Sequence, residues 1–350
     1  LGARWEAPKP GTIRVHGIGR GHTFVDLPRF DCGESGSTLR FLIPIALAVA
    51  GGGVFTGHGR LMERPQGPYA DLFREQGISW EQRDGVLTVQ GRLSPGEYLL
   101  PGNVSSQFFT GLLFALPLLD APSAVLSSTE IESREYITMT MEAMRQAGIS
   151  VAEKPGLRGF EVLPAAYCPF AGAVEADWSQ AAFWYAANFL GSPVEIQGLN
   201  PLSAQGDLAV ASLYWRLARP GDREIDVSGC PDLLPPLAVM AAVRQGTVRF
   251  VHAARLRLKE SDRLQTTAAM LQALGGTVEE GADSLTVQGQ PQLLGGTVDG
   301  ANDHRIVMAA AVAATACAGS VTVLGAEAVH KSYPDFFTVY QALGGAFHVL

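Results

Sequence analysis

The chain has 350 residues, a hydrophobic fraction of 47% and a mean hydropathy of +0.13, values typical of a folded globular protein and not of a disordered one. Its net charge of -8 and isoelectric point near 5.4 argue against a nucleic-acid partner, because contacts to phosphate backbones need a broad basic field. The four cysteines lack metal-ligand spacing, and the longest apolar runs are too short and too often interrupted by glycine to cross a bilayer. We therefore expect a cytoplasmic protein with no metal site and no membrane partner.

A phrase of amphipathic helix, glycine and strand recurs along the chain. It appears as "DLFREQGISWEQ", "EAMRQAGISVAE", "AAMLQALGGTVEE" and "VYQALGGAFHVL", with a degenerate copy in "LYWRLARPGDREI". The glycines that end these helices lie roughly 55 to 75 residues apart, as in a repeated supersecondary unit: Gly77, Gly148, Gly221, Gly275 and Gly344. Runs such as "TVRFV", "SLTVQG" and "VTVLGA" predict strands in the intervals. The pattern predicts an α+β protein, although helix–glycine–strand is also common in unrelated mixed folds.

The first residues, "LGARWE", match the end of such a unit, with Gly2 in the place of the helix-ending glycine. This predicts that the sequence begins inside its first repeat. With three repeats in each domain, the boundary falls near "PFAGAVEADWS". We expect a first domain over residues 1–172, incomplete at its N-terminus, and a second over residues 173–350.

Several predicted helices begin with polar residues where their neighbours are apolar. In chain order these are "GESGSTLRF" with Gly36 and Arg40, "PGNVSSQF" with Ser105, and "NDHRIVMA" with Arg305. Lys331 follows in "HKSYPDFF". Hydroxyls at a helix start can cap the helix or present donors to an anion, and the sequence alone leaves both interpretations open.

The stretch "RLRLKESDRLQ" places six charged residues within nine positions of a chain that is 17% charged. Its alternation predicts an extended segment with Arg255, Arg257 and Lys259 on one side and leucines on the other. A row of cations leading into a helix N-terminus favours phosphate or carboxylate binding. Glu260 and Asp262 are then acids held among cations, and one of them is a candidate proton carrier. A solvated, serine-capped helix face is the simpler alternative.

Together these segments resemble the enolpyruvyl transferase family over essentially the whole chain. The resemblance rests, in the family's order, on "GESGSTLRF", "MERPQGPYADLF", "PGNVSSQF", "ESREYITMT", "DWSQAAF", "PDLLPPLAVMAA", "LKESDRL", "NDHRIVMA" and "HKSYPDFF". It implies two similar domains in an inside-out α/β barrel-like fold, each built from three βαβαββ repeats, with the first repeat incomplete here. It also implies transfer of the carboxyvinyl group of phosphoenolpyruvate to the 5-hydroxyl of shikimate 3-phosphate, with release of phosphate and no cofactor, by a monomer when complete.

The resemblance also assigns site residues by motif. Those implied for phosphoenolpyruvate are Gly36, Arg64, Gln107, Arg263, Arg305 and Lys331. Those implied for shikimate 3-phosphate are Ser105, Ser106, Gln107, Ser133, Tyr136, Asp232 and Lys259. Asp232, Glu260 and Lys259 are implied as the catalytic residues. Arginine suits these anions because its planar fork makes paired, charge-assisted hydrogen bonds.

The chain departs from the family pattern at several positions. Glu135 replaces a proline beside the expected phosphate loop, Glu34 stands near the phosphoenolpyruvate site where an asparagine is expected, and Arg255 stands where an asparagine is frequent. The family's N-terminal motif, with a lysine, a serine and an arginine, has no counterpart. We therefore expect residues 1–350 alone to turn over substrate negligibly, and roughly 65 to 75 preceding residues to restore activity.

Two alternatives stay open at this point. A UDP-N-acetylglucosamine enolpyruvyl transferase would share the fold and the donor, but commonly carries a cysteine shortly before an Arg-Pro pair, and "GRLMERPQG" has none nearby. A non-catalytic anion-binding relative would need no acids in its pocket. The presence of Glu260 and Asp232 therefore favours an enzyme.

Overall fold

The fold is a series of small sheets joined by helices, seen in a computed structural model that describes residues 1–19, 21–154, 156 and 158–350. The helices are α1 (Gly36–Ala50), α2 (Gly67–Glu75), α3 (Ser106–Ala115), α4 (Arg134–Gln146), α5 (Trp178–Phe189), α6 (Ala209–Leu217), α7 (Leu234–Ala242), α8 (Arg263–Ala273), α9 (His304–Ala313) and α10 (Phe336–Ala342). The strands are β1 (Arg4–Lys9), β2 (Thr12–His16), β3 (Arg29–Asp31), β4 (Gly52–Thr56), β5 (Ser79–Arg83), β6 (Val86–Gln90), β7 (Glu97–Leu100), β8 (Ser123–Ser127), β9 (Val151–Lys154), β10 (Gly159–Val162), β11 (Arg223–Asp226), β12 (Thr247–Val251), β13 (Thr277–Glu280), β14 (Ser284–Gln288), β15 (Gly296–Asp299) and β16 (Val321–Leu324). The α+β class predicted from the sequence is confirmed.

The described residues divide into two units. The first contains Leu1–Ile131 and Thr140–Phe170, and the second contains Glu132–Met139 and Ala171–Leu350. Helix α4 therefore contributes residues to both units. The family domains expected over residues 1–172 and 173–350 stay a prediction.

One sheet topology recurs in both units. The first unit has sheets of order β3-β4-β6-β5 and β7-β8-β10-β9, and the second has β11-β12-β14-β13. In each sheet the first two strands are parallel and the last two form an antiparallel pair. Parallel neighbours need a crossover, which α1, α3 and α7 provide. Each sheet with its helices is one βαβαββ repeat.

Two further sheets are shorter. Strands β1 and β2 form an antiparallel pair in the first unit, and β15 and β16 form a parallel pair in the second with α9 as the crossover. Helix α6 leads directly into β11, the first strand of the next sheet, and not into an antiparallel pair. This explains why the copy of the repeat around Gly221 is degenerate in sequence.

The glycines predicted to end helices adopt positive φ angles. Gly77 has φ of 73° and Gly275 has φ of 81°, a backbone conformation that favours glycine after a helix. Strands β5 and β13 follow them, as expected. The strand predicted after Gly344 is wrong, because the described residues after α10 form none. Phe347 instead packs on Phe337 of α10, with 5.1 Å between ring centroids.

Helices α7 and α9 form the centre of the second unit's core. Every residue of each helix is buried, which their nearly continuous apolar sequences explain. They pack on α5 and α8, and on each other. Because polar side chains have no place along such helices, the nearby charged residues Asp232 and Arg305 lie where α7 and α9 begin.

The extended segment predicted for "RLRLKE" is wrong. Residues Ala254–Leu258 form a 3₁₀ helix, with Leu256 fully buried and Leu258 40% exposed. The tight turn sends neighbouring arginines in different directions. Arg257 donates to Glu280 at 2.7 Å and to Asp262 at 3.0 Å, so it stabilises the start of α8.

Arg244 stabilises the C-terminal end of α6 by donating hydrogen bonds to backbone carbonyl groups. Its side chain is 6% exposed, Nε donates to the carbonyl oxygen of Leu217 at 2.8 Å, and Nη2 donates to that of Gly221 at 2.7 Å. We expect Arg244→Met to leave these carbonyl groups without donors and to lower the free energy of unfolding by about 2–3 kcal/mol, measured by urea denaturation. The exposed Arg219→Met is the matched control and should change stability by less than about 0.5 kcal/mol. Equal effects of the two variants would contradict the assignment.

Candidate active site

The second unit collects charged side chains at the N-terminal ends of its buried helices. Asp232 lies in the 3₁₀ turn Pro231–Leu233 that leads into α7, and Arg263 is the first residue of α8. Asp303 caps α9 by accepting a hydrogen bond from the backbone N–H of Arg305 at 2.9 Å. Free N–H groups and the helix dipole favour acids at these positions.

Arg263 lies among carboxylates from three segments of the described chain. It is 1% exposed; Nη1 donates to Asp232 at 2.8 Å, Nη2 to Glu260 at 2.7 Å, and Nε to Asp303 at 2.9 Å. Burial alone would lower the pKa of Arg263, but Asp303 and the other carboxylates raise it above its ordinary value. The guanidinium is therefore a fixed cation whose nitrogens are all used by acids.

Asp232 binds cations on both of its carboxylate oxygens. Besides Arg263, Oδ1 accepts from Lys259 at 3.1 Å, and Oδ2 accepts from Arg305 at 3.1 Å. Burial alone would raise the pKa of Asp232, but Arg305, Lys259 and Arg263 hold it well below its usual range. In this arrangement Asp232 is a weak base that holds the cations together.

Lys259 is a half-buried cation whose pKa is lowered by its surroundings. Burial lowers the pKa of its ammonium group, although the ion pair with Asp232 opposes that effect. A lysine with a lowered pKa releases its proton more readily than an exposed one. Lys259 is therefore suited both to binding an anion and to moving a proton.

We define the charged cluster as Asp232, Lys259, Glu260, Arg263, Asp303 and Arg305. Acids and cations are equal in number, so the cluster is neutral when all of its members are ionised. An anion that binds here must displace a carboxylate from a cation or be accompanied by a proton. This property couples anion binding to proton movement.

Lys331 lies beside the turn that enters α9. Its Nζ donates to the backbone carbonyl oxygen of Asn302 at 2.5 Å, one residue before Asp303. Arg305 extends the arrangement in another direction, donating to the hydroxyl of Ser179 at 3.0 Å. Lys331 therefore lies beside the turn that carries Asp303 of the charged cluster.

Ser133 belongs to a second polar group in the same unit. Its φ is 53°, and its hydroxyl donates to the carbonyl oxygen of Ser228 at 2.9 Å and accepts from Arg255 at 2.6 Å. Arg255 also forms an ion pair with Glu132. The arginine that replaces a frequent asparagine is therefore a direct partner of Ser133.

Tyr136 lies three residues further on, in α4. Its hydroxyl donates to Oδ2 of Asp207 at 3.2 Å. Burial raises the pKa of the phenol well above its usual range, and Asp232 and Asp207 add to that effect. The side chain therefore stays protonated and acts only through hydrogen bonds.

In the first unit, Arg40 organises the predicted residues. It is 3% exposed; Nη1 donates to Oε1 of Gln107 at 2.7 Å, and Nη2 donates to the carbonyl oxygen of Pro65 at 2.9 Å. Its guanidinium also lies 4.7 Å from the ring centroid of Phe108. Arg40 thus fixes both Gln107 and the backbone next to Arg64.

Gly36 makes room for Arg64. A Cβ atom at Gly36 would lie 3.0 Å from Nη1 of Arg64, so the guanidinium occupies the space a side chain would need. Ser105 caps α3 by accepting from the backbone N–H of Gln107 at 3.3 Å, and Ser106 is buried in the first turn. The structural interpretation of Ser105 as a helix cap is confirmed.

The departures from the family pattern have identifiable surroundings. The carboxylate of Glu34 packs against Gly59, where an added Cβ would meet Oε2 at 2.7 Å. Glu135 lies in the first turn of α4 and packs near Gly206 and Gly229. Ser35 caps α1, so Gly36, Ser37 and Thr38 already belong to its first turn.

Sequence analysis did not single out Asp303, Asp207 or Arg40 as site residues. Asp303 had a detectable signal, since an aspartate directly before an apolar helix is a preferred N-cap. The sequence shows Arg40 only as a charge at a helix start, because its partners are 25 to 67 residues away. Asp207 gave no local signal at all.

His304 provides a pH test of the site. Burial, together with Arg305 and Arg263, lowers the pKa of His304 from 6.5 to about 4. Between these values the unfolded chain binds a proton that the folded protein does not, so this histidine makes stability fall as pH decreases. Carboxylates with lowered pKa values, such as Asp303, act only below about pH 4.

We expect His304→Asn to remove about 3 kcal/mol of the acid-induced loss of stability between pH 6.5 and pH 4, relative to the parent protein. The measurement is the free energy of unfolding at several pH values. Comparison at each pH isolates His304, because every other titrating group is present in both proteins. The exposed His348→Asn is the control and should change stability by less than about 0.5 kcal/mol. An unchanged slope in His304→Asn would contradict the burial argument.

Comparison with known proteins gives a consistent result. A sequence model of the family EPSP synthase (3-phosphoshikimate 1-carboxyvinyltransferase) matches residues 9–340. A protein of Clostridium acetobutylicum named 3-phosphoshikimate 1-carboxyvinyltransferase is 42% identical over 335 residues, covering 91% of this chain and 78% of that protein. One of Clostridium novyi with the same name is 39% identical over 352 residues, covering 95% and 80%.

Solved structures show the same fold. EPSP synthase from Acinetobacter baumannii superposes with a TM-score of 0.78 at 22% identity, covering 99% of this chain and 85% of that chain. The enolpyruvyl transferase NikO from Streptomyces tendae superposes with a TM-score of 0.66 at 15% identity, covering 88% and 76%. Family model, sequence identity and fold agree, and the chain belongs to the EPSP synthase family.

Proposed function

We propose that the protein transfers the carboxyvinyl group of phosphoenolpyruvate to the 5-hydroxyl of shikimate 3-phosphate and releases phosphate. The family and the names of its curated relatives, 3-phosphoshikimate 1-carboxyvinyltransferase, support this reaction. The reaction belongs to the shikimate route to aromatic amino acids. It proceeds by addition and elimination. In the addition, the 5-hydroxyl oxygen bonds to C2 of phosphoenolpyruvate and gives up its proton to a base, while C3 receives a proton from an acid. In the elimination, the bond from C2 to the phosphate oxygen breaks, and a base removes a methyl proton so that the C2–C3 double bond forms again.

The charged cluster is the observation that supports this chemistry most. Addition needs a proton donor, elimination needs a base, and both substrates are anions that need cations. The cluster places Lys259, Arg263 and Arg305 within hydrogen-bonding distance of acids in one neutral arrangement. Fixed charges of this kind stabilise a charge that develops in the transition state without further reorganisation.

The residues proposed for phosphoenolpyruvate are those that the family motifs assign. The first unit supplies Gly36, Arg64 and Gln107, and the second supplies Arg263, Arg305 and Lys331. Because Arg263 is buried and all of its nitrogens are paired, it takes part by exchanging an acid partner for substrate. Arg305 needs only to release Asp232.

For shikimate 3-phosphate, the proposed residues are polar groups near helix starts: Ser105, Ser106, Gln107, Ser133, Tyr136, Asp232 and Lys259. Serine hydroxyls and helix N-termini suit a phosphate group, and Lys259 with Asp232 suits ring hydroxyls. Arg255, which is paired with Glu132, donates to Ser133 and orients its hydroxyl at the proposed phosphate position.

Glu260 is the proposed general acid and base, with Asp232 and Lys259 assisting. Its carboxylate accepts a hydrogen bond from Arg263 at 2.7 Å, and Glu260 directly follows Lys259 in the sequence. Asp232 can serve as a base only after an anion has drawn Arg305 or Lys259 away from it, since those cations depress its pKa. Glu260 therefore carries the first proton transfer in this proposal.

We expect a monomer in the cytoplasm that needs neither a metal nor an organic cofactor. Within the described part of the chain, every helix is too short or too polar to span a bilayer.

The proposed function is tested by phosphate release from phosphoenolpyruvate after exhaustive chelation, with each acceptor in turn. We expect release with shikimate 3-phosphate and none with UDP-N-acetylglucosamine. Activity with the nucleotide sugar alone would overturn the assignment. Binding of both anions without turnover, by protein expressed from its complete coding sequence, would favour a non-catalytic relative.

Glu260→Gln tests the proton-transfer role. The substitution keeps the size of the side chain and a hydrogen-bond acceptor for Arg263 but removes the ability to carry a proton. We expect kcat to fall by about 10²- to 10⁴-fold with little change in the binding of either substrate. Glu280→Gln is the matched control, because Glu280 pairs with Arg257 away from the charged cluster. Loss of phosphoenolpyruvate binding with kcat intact would show that Glu260 only positions Arg263.

Gly36→Ala tests the proposed position of phosphoenolpyruvate. The new methyl group would press on Arg64 and shift its guanidinium. We expect KM for phosphoenolpyruvate to rise by about tenfold, equivalent to about 1.4 kcal/mol, while the affinity for shikimate 3-phosphate stays within about twofold. Gly67→Ala is the control, since a Cβ atom at Gly67 would meet nothing within 4 Å. An unchanged KM for phosphoenolpyruvate would remove Arg64 from its binding site.

A further inference from the structure

Asp207 is a buried carboxyl group that the proposed reaction does not use. It lies in the 3₁₀ turn Gly206–Leu208 before α6 and is 3% exposed. Oδ2 accepts the hydroxyl of Tyr136 at 3.2 Å, while Oδ1 is buried with no hydrogen-bond partner among the described residues. A buried carboxylate with one neutral donor is poorly stabilised, because an ionised group needs several hydrogen bonds or a close cation.

The surroundings of Asp207 are mainly acidic or neutral. Helix α4 presents Tyr136 and, against Gly206, Glu135; the turn before α5 presents Asp177; the segment before α7 presents Cys230 and Asp232; and α9 presents Arg305. Arg305 is the cation in this set, and it is already paired with Asp232. Burial, followed by repulsion from Asp232, raises the pKa of Asp207 to about 7.

The direction of the hydrogen bond between Tyr136 and Asp207 depends on this proton. With Asp207 ionised, the phenol must donate to Oδ2, and its oxygen can only accept from other groups. With Asp207 protonated on Oδ2, the carboxylic acid can donate to the phenol oxygen, and the phenol proton becomes available to another acceptor. The phenol itself stays protonated in both states, since burial raises its pKa.

We propose that Asp207 is a positioning residue that takes up a proton from solvent when shikimate 3-phosphate binds, and thereby turns Tyr136 from an acceptor into a donor towards the substrate. The inference rests on the proposed function only in naming that substrate. An ionised Asp207 would aim the lone pairs of Tyr136 at an anion, and a protonated Asp207 aims an O–H at it. Binding therefore weakens as pH rises above neutrality, by up to about tenfold in affinity for each pH unit.

The first experiment needs no substrate. Infrared difference spectra of the protein between pH 6 and pH 8 should contain the C=O band of a carboxylic acid that titrates near neutrality. The band should be absent from Asp207→Asn and present in Asp120→Asn, an exposed aspartate used as the control. If the parent protein has no such band, or if Asp207→Asn retains it, the inference is wrong.

The second experiment is calorimetry with shikimate 3-phosphate in buffers of different ionisation enthalpy. The parent protein and Asp120→Asn should take up a proton on binding near pH 8. Asp207→Asn should take up fewer protons than the parent protein, and the difference should be at most one proton per protein. Asp207→Asn keeps a donor amide that cannot ionise, so its affinity should lose the decrease above pH 7. Ionisation of the ligand is common to all proteins and cancels in the comparison.

Tyr136→Phe removes the other partner of the hydrogen bond between Tyr136 and Asp207. It provides a test if Asp207→Asn does not fold. We expect weaker binding of shikimate 3-phosphate with no pH dependence from Asp207. If the parent protein binds shikimate 3-phosphate but takes up no more protons than Asp207→Asn, the role of Asp207 is overturned and the proposed function is left intact. Absence of binding, together with a normal infrared titration, would instead count against the proposed substrate.

Discussion

The carboxylate of Asp232, bound to Lys259, Arg263 and Arg305, is the interaction on which the second unit depends. The cations enter from separate segments and would repel one another strongly in a largely buried position without an acid between them. Helices α7, α8 and α9 begin at this point, and their buried bodies form the core. A disturbance at the cluster is therefore transmitted to the packing of the core helices.

The same arrangement is compatible with the proposed anion site in a protein of net charge -8. Its cations are balanced locally by acids, so the site does not need a broad basic surface. Each acid also depends on its cations to remain ionised. An anion that binds these cations therefore changes how many protons the acids carry. In the proposed function, anion binding and proton transfer by Glu260 and Asp232 both depend on this one charge balance.

Sequence reasoning succeeded where a single local rule decides the outcome. The glycines after α2 and α8 have the positive φ angles that helix ends require. The polar residues before α1, α3 and α9 include the side chains that cap those helices. Sequence reasoning failed for "RLRLKE", where alternation suggested a strand but burial of Leu256 and the separate partners of Arg255 and Arg257 produce a 3₁₀ turn. Local patterns do not contain those distant partners.

The same limit applies to the site. The motifs mark Asp232, Glu260 and Arg263 as candidate residues. They do not show that Arg263 contacts Asp303, which lies 40 residues further along the chain and is brought to it only by the fold. Asp207 is an extreme case, because its environment is created by α4, α5, α7 and α9 together. Burial and charge in three dimensions, which determine its proton affinity, have no counterpart in sequence spacing.

A double-mutant cycle on Asp232 and Arg305 tests the central claim most directly. The free energies of unfolding of Asp232→Asn, Arg305→Gln and the double variant are compared with that of the parent protein. If Asp232 holds the cations together, the coupling energy will be at least about 1 kcal/mol, and the double variant will be less destabilised than the sum of the single variants. Additive effects within about 0.3 kcal/mol would contradict the account, because they would mean that the two charges contribute independently.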